Sequence, residues 1–172
     1  AMIYLDNNAT TKPLQPVVDA MRKYCEDCYF NASASTAVFT GADEPHDDAA
    51  AAMAALLNAE EPECFIFTSG ATESNNWIFA SLVKSPTRGR IIISAIEHPS
   101  VSEPAAEIAG YGFEVVEVPV DHQGVVRLDA LASMLTADTR LVSIMAANNI
   151  TGVLQPIDEI GHLIRKFSPT AL

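Results

Sequence analysis

The stretch Phe65–Asn76, "FIFTSGATESNN", determines how the rest of the sequence is interpreted. It opens with three apolar residues, which is typical of a short buried strand, and narrows to the four small residues Ser69–Thr72. A helical pattern begins directly afterwards. We therefore predict a strand at Cys64–Thr68, a tight loop, and a helix over Glu73–Val83.

The same alternation of strand and helix continues along the chain. The apolar runs show no polar alternation, which is typical of strands that are covered on both faces. Three further strands are predicted at Arg90–Ser94, Phe113–Val118 and Leu141–Ala146. Helices are predicted to follow at Pro99–Ala109, Leu128–Leu135 and Ile157–Lys166. This order predicts an α/β fold with a mostly parallel, helix-flanked sheet.

Two helices are predicted before this alternation. The first, within Thr10–Cys28, has a threonine cap and an early proline, and the second, within Asp43–Ala59, is rich in alanine. Cys25 and Cys28 form a C-x-x-C at the end of the first helical pattern. Because the sequence has no second pair to complete a zinc site, we interpret both as small core residues, with a redox or metal role as the alternative.

The composition excludes several classes of function. A net charge of −12 over 172 residues argues against nucleic-acid binding, which needs clustered Lys and Arg, and against docking on an anionic membrane. No window approaches the roughly 20 apolar residues of a membrane span. Three cysteines do not suggest a disulfide framework, so we expect a cytoplasmic protein.

Polar and small residues follow three of the predicted strands. They are Ser69–Thr72, His98 and the pair Asn148–Asn149. Ligands bind at the carboxyl ends of parallel strands, so these groups are expected at one edge of the sheet. The first loop precedes a helix N-terminus and suits a phosphate, although a tight turn that needs glycine explains it equally well. Structural interpretations are also open for the other two: His98 as a histidine whose hydrogen bonds are satisfied within the fold, and the asparagine pair as a turn.

Four segments together resemble the cysteine desulfurases, which are class-V enzymes of the pyridoxal 5'-phosphate (PLP) aminotransferase fold. They are "YLDNNATT" (Tyr4–Thr11), "FTSGATESNN" (Phe67–Asn76), "EHPSV" (Glu97–Val101) and "VSIMAANNITGVLQPI" (Val142–Ile157). The resemblance covers nearly the whole chain. It implies an arm at residues 1–12, followed at 13–172 by the N-terminal part of the PLP-binding large domain, whose sheet is incomplete in this chain.

The resemblance also implies a role for individual residues. Gly70, Ala71 and Thr72 match the loop that holds the cofactor phosphate. His98 matches the histidine that stacks on the pyridine ring and assists proton transfer, and Asn149 matches the asparagine beside the ring hydroxyl. The implied reaction converts L-cysteine to L-alanine and leaves a persulfide on an enzyme cysteine. A sulfur-acceptor protein then uses this sulfur, for instance in iron–sulfur cluster assembly, and no metal site is implied.

The chain departs from the family pattern in ways that affect this expectation. Ile150 stands where an acidic residue is usual, and the segment Phe30–Thr36 lacks the usual Gly, Pro and His. The resemblance places the Schiff-base lysine and the catalytic cysteine beyond Leu172. None of the four lysines lies in the lysine motif; they are Lys12, Lys23, Lys84 and Lys166. We expect the chain alone to be inactive, and a non-catalytic remnant or a small phosphate-binding domain that does not use PLP is the alternative.

Family strand order raises a folding question. It separates Cys64–Thr68 from the other strands, so this stretch would have no neighbour, and Leu141–Ala146 would present an open apolar edge. Such an edge attracts another chain. We expect pairing with a complementary chain, dimerisation, or a changed strand order.

Overall fold

The computed structural model describes residues 3–41, 44–59 and 61–172. The chain divides after Phe67 into two compact units. The first unit is helical in its described residues, and the second, Thr68–Leu172, contains a parallel sheet.

The first unit contains three helices and a 3-10 turn. They are α1 (Gln15–Glu26), α2 (Ala37–Thr40), α3 (Glu44–Leu57) and the turn Pro62–Cys64. The early proline of α1 is confirmed, but the threonine cap is wrong, because the residue before the helix is Leu14 and no side chain caps it. The interpretation of the cysteines as core residues is also wrong for Cys25, which is exposed. Cys28 lies beyond the helix end and is half-buried.

The predicted strand at Cys64–Thr68 is wrong. Cys64 ends the 3-10 turn, and the following residues form no ladder with any described residue. Ile66 and Phe67 are 65% and 50% exposed. A strand needs a hydrogen-bonding neighbour, so the apolar run alone does not form one. The expectation that this stretch would have no neighbour is confirmed.

The second unit contains a short 3-10 helix at Ala109–Tyr111 and is built from four α-helices and three strands. They are α4 (Ala71–Lys84), β1 (Arg90–Ser94), α5 (Pro99–Ile108), β2 (Glu114–Val118), α6 (Leu128–Met134), β3 (Thr139–Ser143) and α7 (Ile157–Phe167). The strands pair in the order β2-β1-β3, and both pairings are parallel. The predicted α/β fold with a helix-flanked parallel sheet is confirmed. The sequence predicts the third strand of this sheet at Leu141–Ala146. β3 begins two residues before that range begins and ends three residues before that range ends.

The core of this unit forms on both faces of β1. Its residues Ile91, Ile92 and Ile93 are 0%, 0% and 2% exposed. Successive side chains of a strand point to opposite faces. Ile91 and Ile93 pack with apolar residues of α4 and α5, whereas Ile92 packs with Leu131 of α6 and Ile160 of α7. The sheet therefore lies between two layers of helices.

The outer edge of β3 is partly covered by the last residue of the chain. The Leu172 N–H donates to the Arg140 carbonyl at 3.1 Å, and the Val142 N–H donates to the Leu172 carbonyl at 2.9 Å. These two bonds have the pattern of a parallel ladder in which Leu172 is the partner of Leu141. β3 is therefore an edge strand, as expected, and one residue occupies the position of a fourth strand.

No helix among the described residues combines the length and the apolar character that crossing a membrane requires.

Replacing Ile92 by alanine should lower the free energy of unfolding by about 2–5 kcal/mol, because it leaves a cavity in a fully buried position. Urea unfolding followed by circular dichroism measures this change. Ile150→Ala is the matched control, since Ile150 is 84% exposed in the same unit, and it should change stability by less than about 0.5 kcal/mol. Equal losses for the two variants would contradict the assignment of β1 as the core strand.

Candidate functional site

Helix α4 begins with backbone donors that have no partner. Gly70 precedes the helix and no side chain caps it. The Ser74 N–H donates to the Gly70 carbonyl at 3.2 Å. The N–H groups of Ala71 and Thr72 meet no acceptor among the described residues. These groups carry the positive end of the helix dipole, so an anion would be stabilised beside them.

Three internal hydrogen bonds hold the loop before α4 in place. The Ser69 N–H and the Ser69 hydroxyl both donate to the Glu73 carboxylate at 2.6 Å. Thr68 Oγ1 lies 2.7 Å from Ser74 Oγ. The hydrogen bond from the Ser69 hydroxyl, followed by the one from its backbone, lowers the pKa of the exposed Glu73 carboxyl. The loop is thus fastened to the first turn of α4, and the N–H groups of Ala71 and Thr72 are left without an acceptor in the described part of the chain.

Gly70 has no structural reason to be glycine. Its φ of 163° is extended backbone that any residue adopts, so the interpretation of a tight turn that needs glycine is wrong. A Cβ built on Gly70 would meet no heavy atom within 4 Å. The loop therefore has open space at this position.

His98 forms the N-cap of α5, directly after the loop that follows β1. Its Nδ1 accepts a hydrogen bond from the Ser100 N–H at 3.1 Å and lies 2.9 Å from Ser100 Oγ. The imidazole is exposed. Thr72 and His98 line one groove of about 310 Å³, together with Asn76 and Glu103. Of the predicted site residues, Thr72 and His98 share this groove, whereas Gly70, Ala71 and Asn149 do not line it.

The two asparagines differ in their environment. Asn148 Oδ1 accepts hydrogen bonds from the N–H groups of Ile150 and Thr151, so the turn interpretation is confirmed for Asn148. Its Nδ2 donates to the Ile96 carbonyl at 3.2 Å. Asn149 is exposed, and its side chain has no hydrogen-bond partner among the described residues. Asn149 is thus available to a ligand, whereas Asn148 is used by the fold.

Glu97 is a site residue that the sequence analysis missed. Its Oε1 accepts hydrogen bonds from the Ser94 hydroxyl and, at 2.8 Å, from the Met145 N–H. With the Asn148–Ile96 bond, this contact ties the loop after β1 to the loop after β3. An acidic residue next to His98 at the end of a buried strand was the available signal.

Neither lysine of residues 68–172 lines this groove. Lys84 is in the last turn of α4, about 20 Å along the helix from Ala71. Lys166 is in the last turn of α7, which runs back from the carboxyl ends of the strands. No lysine of this unit, every residue of which is described, is beside His98 or Thr72. The backbone N–H groups of Ala71 and Thr72 are therefore the donors that an anion would meet near this groove, which Glu103 and Glu107 also line.

Comparison with known proteins identifies the family. The family model for class-V aminotransferases matches residues 3–171. The chain belongs to this family. A cysteine desulfurase of Methanosarcina thermophila is 40% identical to this class-V chain over 166 residues, which are 95% of the chain and 41% of the relative. The mitochondrial cysteine desulfurase of Saccharomyces cerevisiae is 41% identical over 95% of the chain and 33% of its own length.

Solved structures agree with this membership. A NifS-like protein superposes on this chain with a TM-score of 0.90 and 36% sequence identity. The match covers 99% of this chain and 47% of the NifS-like chain. A structure titled "SspA in complex with cysteine" has a TM-score of 0.87 and 29% sequence identity. The match covers 95% of this chain and 47% of that structure's chain. The resemblance to cysteine desulfurases is confirmed, and the chain spans less than half the length of these relatives.

Glu97→Ala should lower the free energy of unfolding by about 1–3 kcal/mol, because the half-buried Met145 N–H loses its acceptor. Amide hydrogen exchange at Met145 should become faster in the same variant. Glu103→Ala is the control, since Glu103 is exposed on α5 in the class-V chain and should leave both measurements unchanged. Unchanged exchange at Met145 in Glu97→Ala would contradict the link between the two loops.

Ser69→Ala should raise the pKa of Glu73 toward its ordinary value, since the largest cause of its lowering is removed. Because the pKa of Glu73 is lower in the folded state, this hydrogen bond stabilises the fold at pH values above the ordinary glutamate pKa. The stabilisation is lost as the pH falls through the lowered pKa. Carboxyl ¹³C NMR titration measures the shift. Ser81→Ala, on the same helix with a local bond to Ile78, should not move it.

Proposed function

We propose that this chain is the N-terminal part of the cofactor-binding domain of a PLP-dependent cysteine desulfurase. In this proposal Gly70, Ala71 and Thr72 hold the cofactor phosphate, and His98 and Asn149 contact its ring. The support for desulfurase chemistry comes from the cysteine desulfurases among its relatives.

The observation that carries the proposal is the start of α4. The N–H groups of Ala71 and Thr72 have no acceptor among the described residues, Gly70 has open space beside it, and Thr72 lines the same groove as His98. A phosphate at these N–H groups would gain about 0.3–1 kcal/mol from the helix dipole alone and about 2 kcal/mol when partly buried. Glu103 and Glu107 also line the groove, so the N–H groups would have to hold the phosphate away from these carboxylates.

Each residue would have a distinct task. The N–H groups of Ala71 and Thr72 would donate to phosphate oxygens, and the absent side chain of Gly70 would let the phosphate approach the backbone. The exposed imidazole of His98 would cover one side of the groove and hold a proton at Nε2. The Asn149 amide would donate to an oxygen of the cofactor ring or of the substrate carboxylate. When bound, PLP itself supplies an electron sink for the reacting substrate.

L-Cysteine is the proposed substrate, with its sulfur passed to an enzyme cysteine and then to an acceptor protein such as one that builds iron–sulfur clusters. One structural neighbour is titled as a complex with cysteine, which supports this substrate. Catalysis by residues 1–172 alone is not proposed, because neither Lys84 nor Lys166 lines the groove that contains His98. A cytoplasmic location is proposed from the three free cysteines.

We also propose that the sheet is extended beside β3 by a parallel strand from a complementary chain or a second copy. The two backbone bonds of Leu172 support this direction of pairing. A groove of about 390 Å³ adjoins the same edge and is lined by apolar residues that include Ile78, Ile144 and Leu172. An additional strand and the residues that follow it would cover this groove.

A second candidate is a phosphate-binding domain that does not use PLP. It is favoured because neither lysine of this unit lines the groove. The two candidates differ in their response to the pyridine ring, because only a PLP site distinguishes PLP from a simple phosphate ester.

Gly70→Ala should weaken PLP binding by at least about tenfold, because the added methyl group occupies the open space at the phosphate loop. Isothermal titration of the chain with PLP, pyridoxal and inorganic phosphate measures the effect. Gly110→Ala is the matched control, since a Cβ there also meets nothing within 4 Å, and it should bind PLP like the unmodified chain.

The ligand series separates the possible outcomes. Tighter binding of PLP than of either pyridoxal or phosphate supports the proposed cofactor. Equal binding of PLP and inorganic phosphate favours the second candidate. Equal PLP affinity in Gly70→Ala and the unmodified chain contradicts the phosphate site. After borohydride treatment, mass spectrometry should show no stoichiometric PLP adduct on any lysine.

A further inference from the structure

A chain of hydrogen bonds links α4 to the ring of His98. Asn75 Nδ2 donates to Ser100 Oγ at 2.9 Å, and Ser100 Oγ lies 2.9 Å from His98 Nδ1. The Ser100 N–H also points at Nδ1, at 3.1 Å. The three residues come from two helices and are 25 positions apart at the Asn75–Ser100 contact.

The polarity of this chain is set by its donors. The Asn75 NH₂ group only donates, so Ser100 Oγ accepts from it and has its own hydrogen left for His98. A backbone N–H likewise only donates. His98 Nδ1 therefore accepts from both groups of Ser100 and carries no hydrogen in the neutral ring. The hydrogen of the neutral imidazole is on Nε2.

We propose that Asn75 and Ser100 are positioning residues that hold His98 in the Nε2–H tautomer. The free nitrogen of the ring, which has no partner among the described residues, is then a hydrogen-bond donor. Such a ring suits a ligand atom that accepts a hydrogen bond, such as a thiolate sulfur or an oxygen of a carboxylate or phenolate. The catalytic use of this donor rests on the function proposed above, whereas the tautomer itself does not.

Asn76 provides an internal comparison. It is the same residue type, one position further along α4, and it lines the same groove as His98. Its Nδ2 donates to the Thr72 carbonyl of its own helix at 2.8 Å and makes no hydrogen bond to Ser100. A change at Asn76 therefore alters the charge near His98 but leaves the hydrogen-bond chain intact.

The test is the tautomer of His98 in Asn75→Asp. An aspartate only accepts, so it should take the Ser100 hydroxyl hydrogen and leave Ser100 Oγ as an acceptor for an Nδ1–H. Long-range ¹H–¹⁵N NMR of the histidine-labelled, ligand-free chain, at a pH where the ring is neutral, shows which nitrogen carries hydrogen. We expect the ratio of Nδ1–H to Nε2–H to rise at least about fivefold, the equivalent of one neutral hydrogen bond.

Matched variants separate this effect from charge and from folding. Asn76→Asp adds the same charge and should leave the ratio unchanged. Ser100→Ala should raise the ratio in the same direction as Asn75→Asp, while Ser100→Thr keeps the hydroxyl and the original ratio. Ser102→Ala, on the same helix, should have no effect. Circular dichroism confirms that each variant is folded, and Ser100→Ala serves as the test if Asn75→Asp does not fold.

Two results would overturn the inference. The first is an unchanged tautomer in both Asn75→Asp and Ser100→Ala, which would leave His98 a helix cap alone. The second is an equal shift in Asn76→Asp, which would assign the effect to charge. The spectra need no cofactor, so failure of PLP binding would contradict the proposed function without affecting the tautomer result. An unchanged tautomer would likewise contradict this inference without affecting the proposed function.

Discussion

The second unit depends on the complete burial of β1. Its three isoleucines are enclosed by helices on both faces, and its backbone is paired with β2 on one edge and β3 on the other. A strand in this position has no freedom to shift, because a slip of one residue would reverse which side chains enter each helical layer. Every loop at the carboxyl end of the sheet is placed relative to this strand.

The candidate site follows from that constraint. Because β1 and β3 are parallel neighbours, the residues that follow them emerge at the same edge, and Glu97 joins the two loops through the Met145 N–H. The Asn75–Ser100 bond joins α4 and α5 near their N-terminal ends in the same way. These hydrogen bonds hold the loops and leave three groups without a partner in the part of the chain that the structure describes: Nε2 of His98, the side chain of Asn149, and the N–H groups of Ala71 and Thr72. Such prior positioning reduces the ordering cost of binding a ligand.

The relation to the cysteine desulfurases gains a physical basis from this arrangement. The motif residues Gly70, Ala71 and Thr72 were taken from a resemblance, and the structure adds an uncapped helix and an unfilled space at the same positions. The chain spans 41% of one desulfurase and 47% of a NifS-like structure. In the sheet, β3 is an edge strand, and Leu172 pairs with it through two backbone hydrogen bonds.

The amino-acid sequence by itself determined the α/β alternation, the family and the position of β1, because these depend on local periodicity and on motifs that are continuous in the chain. It did not determine whether Phe65–Phe67 forms a strand, since that depends on a neighbouring strand, or whether Cys25 is buried. The pairing of Asn75 with Ser100, and of Glu97 with Met145, was decided only by the tertiary structure. Hydrogen bonds between residues 25 and 48 positions apart depend on how helices and strands pack, and no local pattern in the sequence records that packing.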